Sequence, residues 1–145
     1  MSAVSIKHYL SLVKFSHTVF ALPFAIIGYF LGVDAIGTIP DWTLFAKVLL
    51  CMVFARSAAM GFNRYIDRSF DEQNARTAIR EIPAGVISPK AALLFVVFMS
   101  LAFVVTTWFI NPLCFFLSPV ALAVILGYSI TKRFTWLCHL VLGVG

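Results

Sequence analysis

The chain has 145 residues, 61% of them hydrophobic and 15% aromatic, with only 12% charged and a mean hydropathy of +0.98. A soluble domain of that length has too little interior to hide so much apolar side chain, so the composition excludes a soluble globular protein and describes an integral membrane protein. The net charge of +5 is explained in so apolar a chain by the topology of its loops, with phosphate binding as a second contributor, and no nucleic-acid partner is expected.

Met1 to Lys14 is short and mildly amphipathic, with Ile6, Leu10, Leu12 and Val13 interleaved with Lys7, His8 and Lys14. It lacks the small-residue cleavage site of a signal peptide. Residues 15–33 carry no charge and are long enough to cross a bilayer, with Pro23 inside the run. A short loop containing Gly37 and Pro40 leads to a second span over 42–62, with Trp42 at its outer edge, where an indole favours the interface. Lys47 near that edge is expected to snorkel. After a polar segment over 63–90 come a third span at 91–110, a tight turn at Asn111-Pro112 and a fourth span at 113–130. Phe134 begins another apolar run, so the chain is expected to continue into a fifth span and to be part of a longer protein.

Basic residues cluster at Lys7 and Lys14, between spans two and three, and at Lys132-Arg133, while the other two loops contain none. The positive-inside rule therefore predicts a cytoplasmic N-terminus, with the polar segment and Lys132 on that same side. The expected fold is all-α, a multispanning transmembrane bundle of four full spans and the start of a fifth. Cys51, Cys114 and Cys138 lie in apolar runs without paired metal-ligand spacing, and read as small buried hydrophobes.

The stretch Gly61 to Gly85 holds four of the six acidic and four of the eleven basic residues. Asn63, Asp67 and Asp71 recur every four residues; if the preceding helix continues through them, each step rises about 6 Å and turns about 40°, making a column of oxygen ligands. Arg56 lies two turns earlier on the same face. An arginine deep in a span costs about 2.5–3.5 kcal/mol on insertion scales, which argues for a functional role. Two carboxylates and an amide suit Mg2+, which completes its shell with water and substrate phosphates. Arg64, Arg68, Arg76, Arg80 and Lys132 supply the complementary charge for those phosphates. Metal, diphosphate and an apolar cavity together point to a lipid diphosphate substrate, ionised at an allylic C–O bond.

This stretch resembles the first aspartate-rich motif of the UbiA superfamily of intramembrane prenyltransferases, roughly NDxxDxxxD. Arg76-Thr77, Arg80, Ile82-Pro83-Ala84-Gly85 and Tyr128-Ser129-Ile130-Thr131-Lys132 are similar to further family motifs. Phe15-Ser16-His17-Thr18, Ala21-Leu22-Pro23-Phe24 and Lys132-Arg133-Phe134-Thr135 resemble the 4-hydroxybenzoate polyprenyltransferase-like branch. The resemblance implies that Asn63, Asp67 and Asp71 hold magnesium and diphosphate, that Arg76, Arg80 and Lys132 contact the diphosphate, that Tyr128 lines the site and that Arg56 meets the carboxylate of an aromatic acceptor. It implies transfer of a polyprenyl group to 4-hydroxybenzoate or a dihydroxynaphthoate-type precursor, in ubiquinone or menaquinone synthesis at the bacterial inner membrane, with the active face cytoplasmic. Residues 1–145 would then be the N-terminal part of a single prenyltransferase domain. Two departures stand out. Arg64 occupies the position of the family's usual Asp, and no acidic residue follows Glu81, so the family's second aspartate motif is absent and the chain alone is expected to be inactive. The competing reading is a small multispanning transporter or a non-catalytic membrane subunit. Against it, transporters place ionisable residues near the midplane, whereas these acids stand at the end of a span beside arginines.

Overall fold

The computed structural model describes residues 6–131 together with Phe134 and Gly143, except for the side chains of Phe15 and His17. Lys132, expected to contact diphosphate, and most of the expected fifth apolar segment lie outside the described residues.

Five helices follow one another: α1 (Ile6–Leu12), α2 (Phe15–Ile36), α3 (Trp42–Gln73), α4 (Pro89–Trp108) and α5 (Pro112–Thr131). The last four are long and apolar enough to cross a membrane. They match the four expected spans to within a few residues, except that α3 runs well past the end of its span. Nothing between Asn63 and Gln73 breaks a helix, neither Pro nor Gly, so the backbone stays helical after the hydrophobicity ends. The segment expected as a loop over 63–90 is therefore helical to Gln73. At 32 residues, α3 is about 48 Å long, which exceeds the roughly 30 Å of a hydrocarbon core.

The helix ends are chemically marked. Gly37 closes α2 in the left-handed conformation, at φ 68°, and its N–H donates to the Asp34 carbonyl. The Asp41 side chain accepts from the Thr43 N–H at 2.8 Å and starts α3. Ser88 caps α4, whose first residue is Pro89. Asn111 accepts from the Cys114 N–H at 2.7 Å and starts α5. Asn74 ends α3 in an extended conformation, and its Oδ1 accepts from the Arg76 N–H, which turns the chain away from the helix axis.

The short links from α2 to α3 and from α4 to α5 make those spans antiparallel. α3 is the hub: it packs against α2, α4 and α5, whereas α2 and α5 do not pack on each other among the described residues. The α3–α4 contact is close because Ser57, Ala58 and Gly61 are small and buried, letting Val96 and Phe95 approach. At the end of the bundle that bears the motif, α1 folds back over the loop that follows α3. Leu12, Ile82, Ile87 and Ala92 form a buried apolar cluster there, flanked by Tyr9, Tyr65 and Phe95, and the Ser11 hydroxyl donates to Glu81. Lys14, at φ 45°, makes the joint between α1 and α2.

Candidate functional site

Since α2 and α5 both lean on α3 without meeting, a cleft is left between them. It forms a cavity of about 500 Å3 lined on α2 by Ala21, Phe24 and Ala25, on α3 by Met52, Ala55, Arg56, Ala59, Met60 and Asn63, and on α5 by Ile125, Tyr128 and Ser129. The alanines leave the room and the larger apolar side chains make the walls. Beside it a smaller recess, bordered by Phe20, Ala21, Phe24 and Arg56, runs out to the exposed rings of Phe20 and Phe24.

Three of the residues singled out from sequence meet in this cavity: Arg56, Asn63 and Tyr128. The two on α3 are seven residues apart, which is about 10 Å along the axis and nearly two full turns, so both face the same way. The Arg56 Nε is buried and has no hydrogen-bond partner among the described residues. A guanidinium in an apolar wall with an unused buried donor favours an anion.

Asp67 stands one turn beyond Asn63, half-buried. Asp71 is buried, only 6% exposed, and is not among the residues lining the cavity. Both of its carboxylate oxygens accept from Nη1 of Arg80, at 2.7 and 2.8 Å. Its backbone carbonyl accepts from the Thr77 hydroxyl at 3.1 Å and from the Asn74 N–H at 3.4 Å. The end of α3 and the following loop are thus tied at a single residue. Arg76 is exposed on that loop. Arg68 turns back to its own helix, donating to the Tyr65 carbonyl at 2.7 Å and lying over that ring at 4.5 Å.

Arg64, the departure from the family pattern, is about 100° round the helix from Asn63 and does not line the cavity. It is buried, only 6% exposed, with Arg80, Glu81, Asp71 and Asp67 near enough to act on its charge.

The column of Asn63, Asp67 and Asp71 is too long for all three to share one ion. Asn63 and Asp71 are about 12 Å apart along the axis, beyond the span of two short side chains that share one ion with ligand distances of about 2.1 Å. Asp67 and Asp71 are as close as Asn63 and Asp67, but the Asp71 carboxylate is held by Arg80, which leaves Asn63 and Asp67, about 6 Å apart on the axis, as the pair within that span. Their amide and carboxylate oxygens are hard donors of the kind that magnesium takes. No group of three or more His, Cys, Asp or Glu that could hold a metal occurs among the described residues.

Sequence reasoning missed Phe24, Met52, Met60 and Ser129 as cavity residues. The signal was present on α3, because carrying the Arg56–Asn63 face back one turn reaches Met52, with Ala55 and Ala59 between. The contributions of α2 and α5 needed the packing.

The model of the UbiA prenyltransferase family matches residues 21–145. Among curated relatives, the chain is 37% identical over 116 residues to a 4-hydroxybenzoate octaprenyltransferase of Aliivibrio salmonicida, covering 79% of this chain and 39% of the relative. It is 40% identical over 105 residues to the protein of that name from Thiobacillus denitrificans, covering 72% of this chain and 36% of the relative. Its fold is similar to the apo structure of a UbiA homolog from Aeropyrum pernix K1, with a TM-score of 0.80 at 32% identity, over 89% of this chain and 46% of that one. The chain spans about two fifths of the length of the curated relatives it matches.

Proposed function

Because the chain belongs to the UbiA prenyltransferase family, we propose that it forms the N-terminal part of an intramembrane enzyme that transfers a polyprenyl group from a prenyl diphosphate to an aromatic acid in quinone biosynthesis. The acceptor we favour is 4-hydroxybenzoate, the compound in the name shared by the relatives. The observation that carries this reading is the buried Nε of Arg56, without a partner among the described residues, in a mostly apolar cavity two helical turns from Asn63. A charge there needs a counter-ion, and a benzoate brings one on an otherwise apolar ring.

Asn63 and Asp67 would hold the magnesium. When bound, it would neutralise the diphosphate and make it a better leaving group. Arg80, and Arg76 on the exposed loop, would add positive charge to the same phosphates. Arg56 would hold the acceptor's carboxylate with Tyr128 facing the ring, leaving the ring's electron-rich carbon towards the allylic carbon. The apolar walls of Phe24, Met52, Met60 and Ile125 would exclude water, which would otherwise capture an allylic cation. Ring attack forms the new C–C bond as the C–O bond to diphosphate breaks, and loss of the ring proton restores aromaticity. The recess beside Phe20 and Phe24 would pass the isoprenoid tail towards lipid. The second acidic motif expected of the family would come from the rest of the protein. The setting would be the bacterial inner membrane, with the motif end of the bundle cytoplasmic.

The test is transfer of radiolabel from a prenyl diphosphate to 4-hydroxybenzoate in membranes containing the intact gene product. Product that requires magnesium and is lost in Asp67→Ala is expected. Folded protein that yields no product, and instead supports an ion flux indifferent to Asp67→Ala, would overturn the proposal in favour of a transporter.

A further inference from the structure

Asp71 carries a carboxylate that is already engaged. The Nη1 of Arg80 bridges both of its oxygens, and its backbone carbonyl takes bonds from Thr77 and Asn74. Its side chain is 9% exposed, against 29% for that of Arg80. Asp71 is thus the covered partner and Arg80 the one that reaches outward. Only one nitrogen of Arg80 is spent on the pair, and a guanidinium has five N–H donors in a fixed plane. Holding Nη1 at Asp71, one helical turn beyond Asp67, restrains that plane and leaves the donors on Nη2 and Nε outside the pair.

We infer that Asp71 is a positioning residue for Arg80, not a ligand of the metal, and that the pair presents Arg80 as a preformed contact for the diphosphate. This rests on the proposed function, since it needs a diphosphate at Asn63 and Asp67. Three observations carry it. Asn63 and Asp71 are too far apart to share one ion. Asp71 does not line the cavity that Asn63 lines. The Asp71 carboxylate is covered and already paired with a cation, while the side chain of its partner is less covered, at 29% exposed against 9%. An aspartate pattern at four-residue spacing then conceals two jobs: the first two members hold an ion, and the third orients an arginine from the loop. Fixing the guanidinium in advance removes much of the ordering cost that a free loop arginine meets on binding.

The experiment measures binding of inorganic diphosphate to the intact gene product in detergent, in EDTA and then with magnesium. Prenyl transfer by the wild type is assayed alongside, so that failure of the proposed function is seen separately as absence of wild-type product. In EDTA, Asp71→Asn and Arg80→Gln should each weaken diphosphate binding about tenfold, as expected for a charge-assisted hydrogen bond, and the double variant should be no weaker than either single one. Asp71→Glu, which keeps the charge, should recover part of the loss. Magnesium should still tighten binding to Asp71→Asn, whereas Asp67→Asn should lose that increment. The inference is overturned if Asp71→Asn loses the magnesium increment as Asp67→Asn does. It is also overturned if Asp71→Asn binds diphosphate in EDTA as tightly as the wild type.

Discussion

Lys47 on α3 donates through Nζ to the carbonyl oxygen of Phe109, 2.9 Å away, just past the end of α4. Helix C-termini leave carbonyls without partners and carry a partial negative charge, so a lysine there both satisfies an acceptor and meets the dipole. The residue was expected to snorkel to the interface. It does extend to the edge of the bundle, but its ammonium is used to tie two spans together at the end opposite the motif.

Lys47→Met keeps the stem and removes the ammonium. It should lower the stability of the detergent-solubilised protein by about 1–2 kcal/mol, the scale of a hydrogen bond from a charged group together with the dipole. Thermal unfolding reads the change, and substrate affinities should stay as they were. An unchanged midpoint would mean that the contact contributes nothing net.

Gly61 sits where α3 and α4 come closest. A Cβ built there would lie 3.0 Å from Cγ2 of Val96 and 3.4 Å from Cδ1 of Phe95. Val96 is buried and stiff at χ1, so it has little freedom to retreat. Gly61→Val should therefore cost about 1–3 kcal/mol through overpacking, seen as a lower unfolding midpoint. The roughly 1 kcal/mol that a non-glycine residue gains in a helix interior is too small to reverse the sign.

The amphipathic start of the chain folds onto the motif loop, with Leu12 fully buried against Ile82, Ile87 and Ala92. Leu12→Ala should destabilise by about 2–5 kcal/mol. The effect should be less than additive with Ile87→Ala, because both empty the same cluster. Limited trypsin cleavage at the exposed Arg76 should quicken in Leu12→Ala if α1 restrains the loop, and cleavage at the wild-type rate would contradict that role.

The spans were legible because each is a predominantly apolar run of bilayer length, and loop positions followed from Gly37, Pro40 and Asn111-Pro112. The length of α3 was only conditional in the sequence, since hydrophobicity stops near Phe62 while helix propensity does not. Arg56 and Asn63 were readable as one face because both lie on one helix. Their meeting with Tyr128 depended on how α5 packs, and the pairing of Asp71 with Arg80 crosses a turn whose path no periodicity specifies. Lys47 and Phe109 are 62 residues apart, and nothing local to either announces the other.

The assignment of Arg56 makes a prediction in which stability and activity change in opposite directions. Its Nε is buried without a partner among the described residues, so the ligand-free protein carries the cost of a desolvated donor. Arg56→Gln removes the charge and should leave the unfolding midpoint unchanged or higher. In the intact gene product, the same variant should raise KM for a carboxylated aromatic acceptor about 10- to 100-fold, the range for losing hydrogen bonds to a charged group. KM for the prenyl diphosphate should hold, because Asn63 is about 10 Å further along the axis. Arg56→Lys should recover only part of the acceptor affinity, since an ammonium cannot make the two parallel bonds of a guanidinium to a carboxylate. A phenol without the carboxylate should be used equally poorly by wild type and Arg56→Gln. If Arg56→Gln instead weakened both substrates equally, Arg56 would be shaping the cavity as a whole and not binding the acceptor's carboxylate.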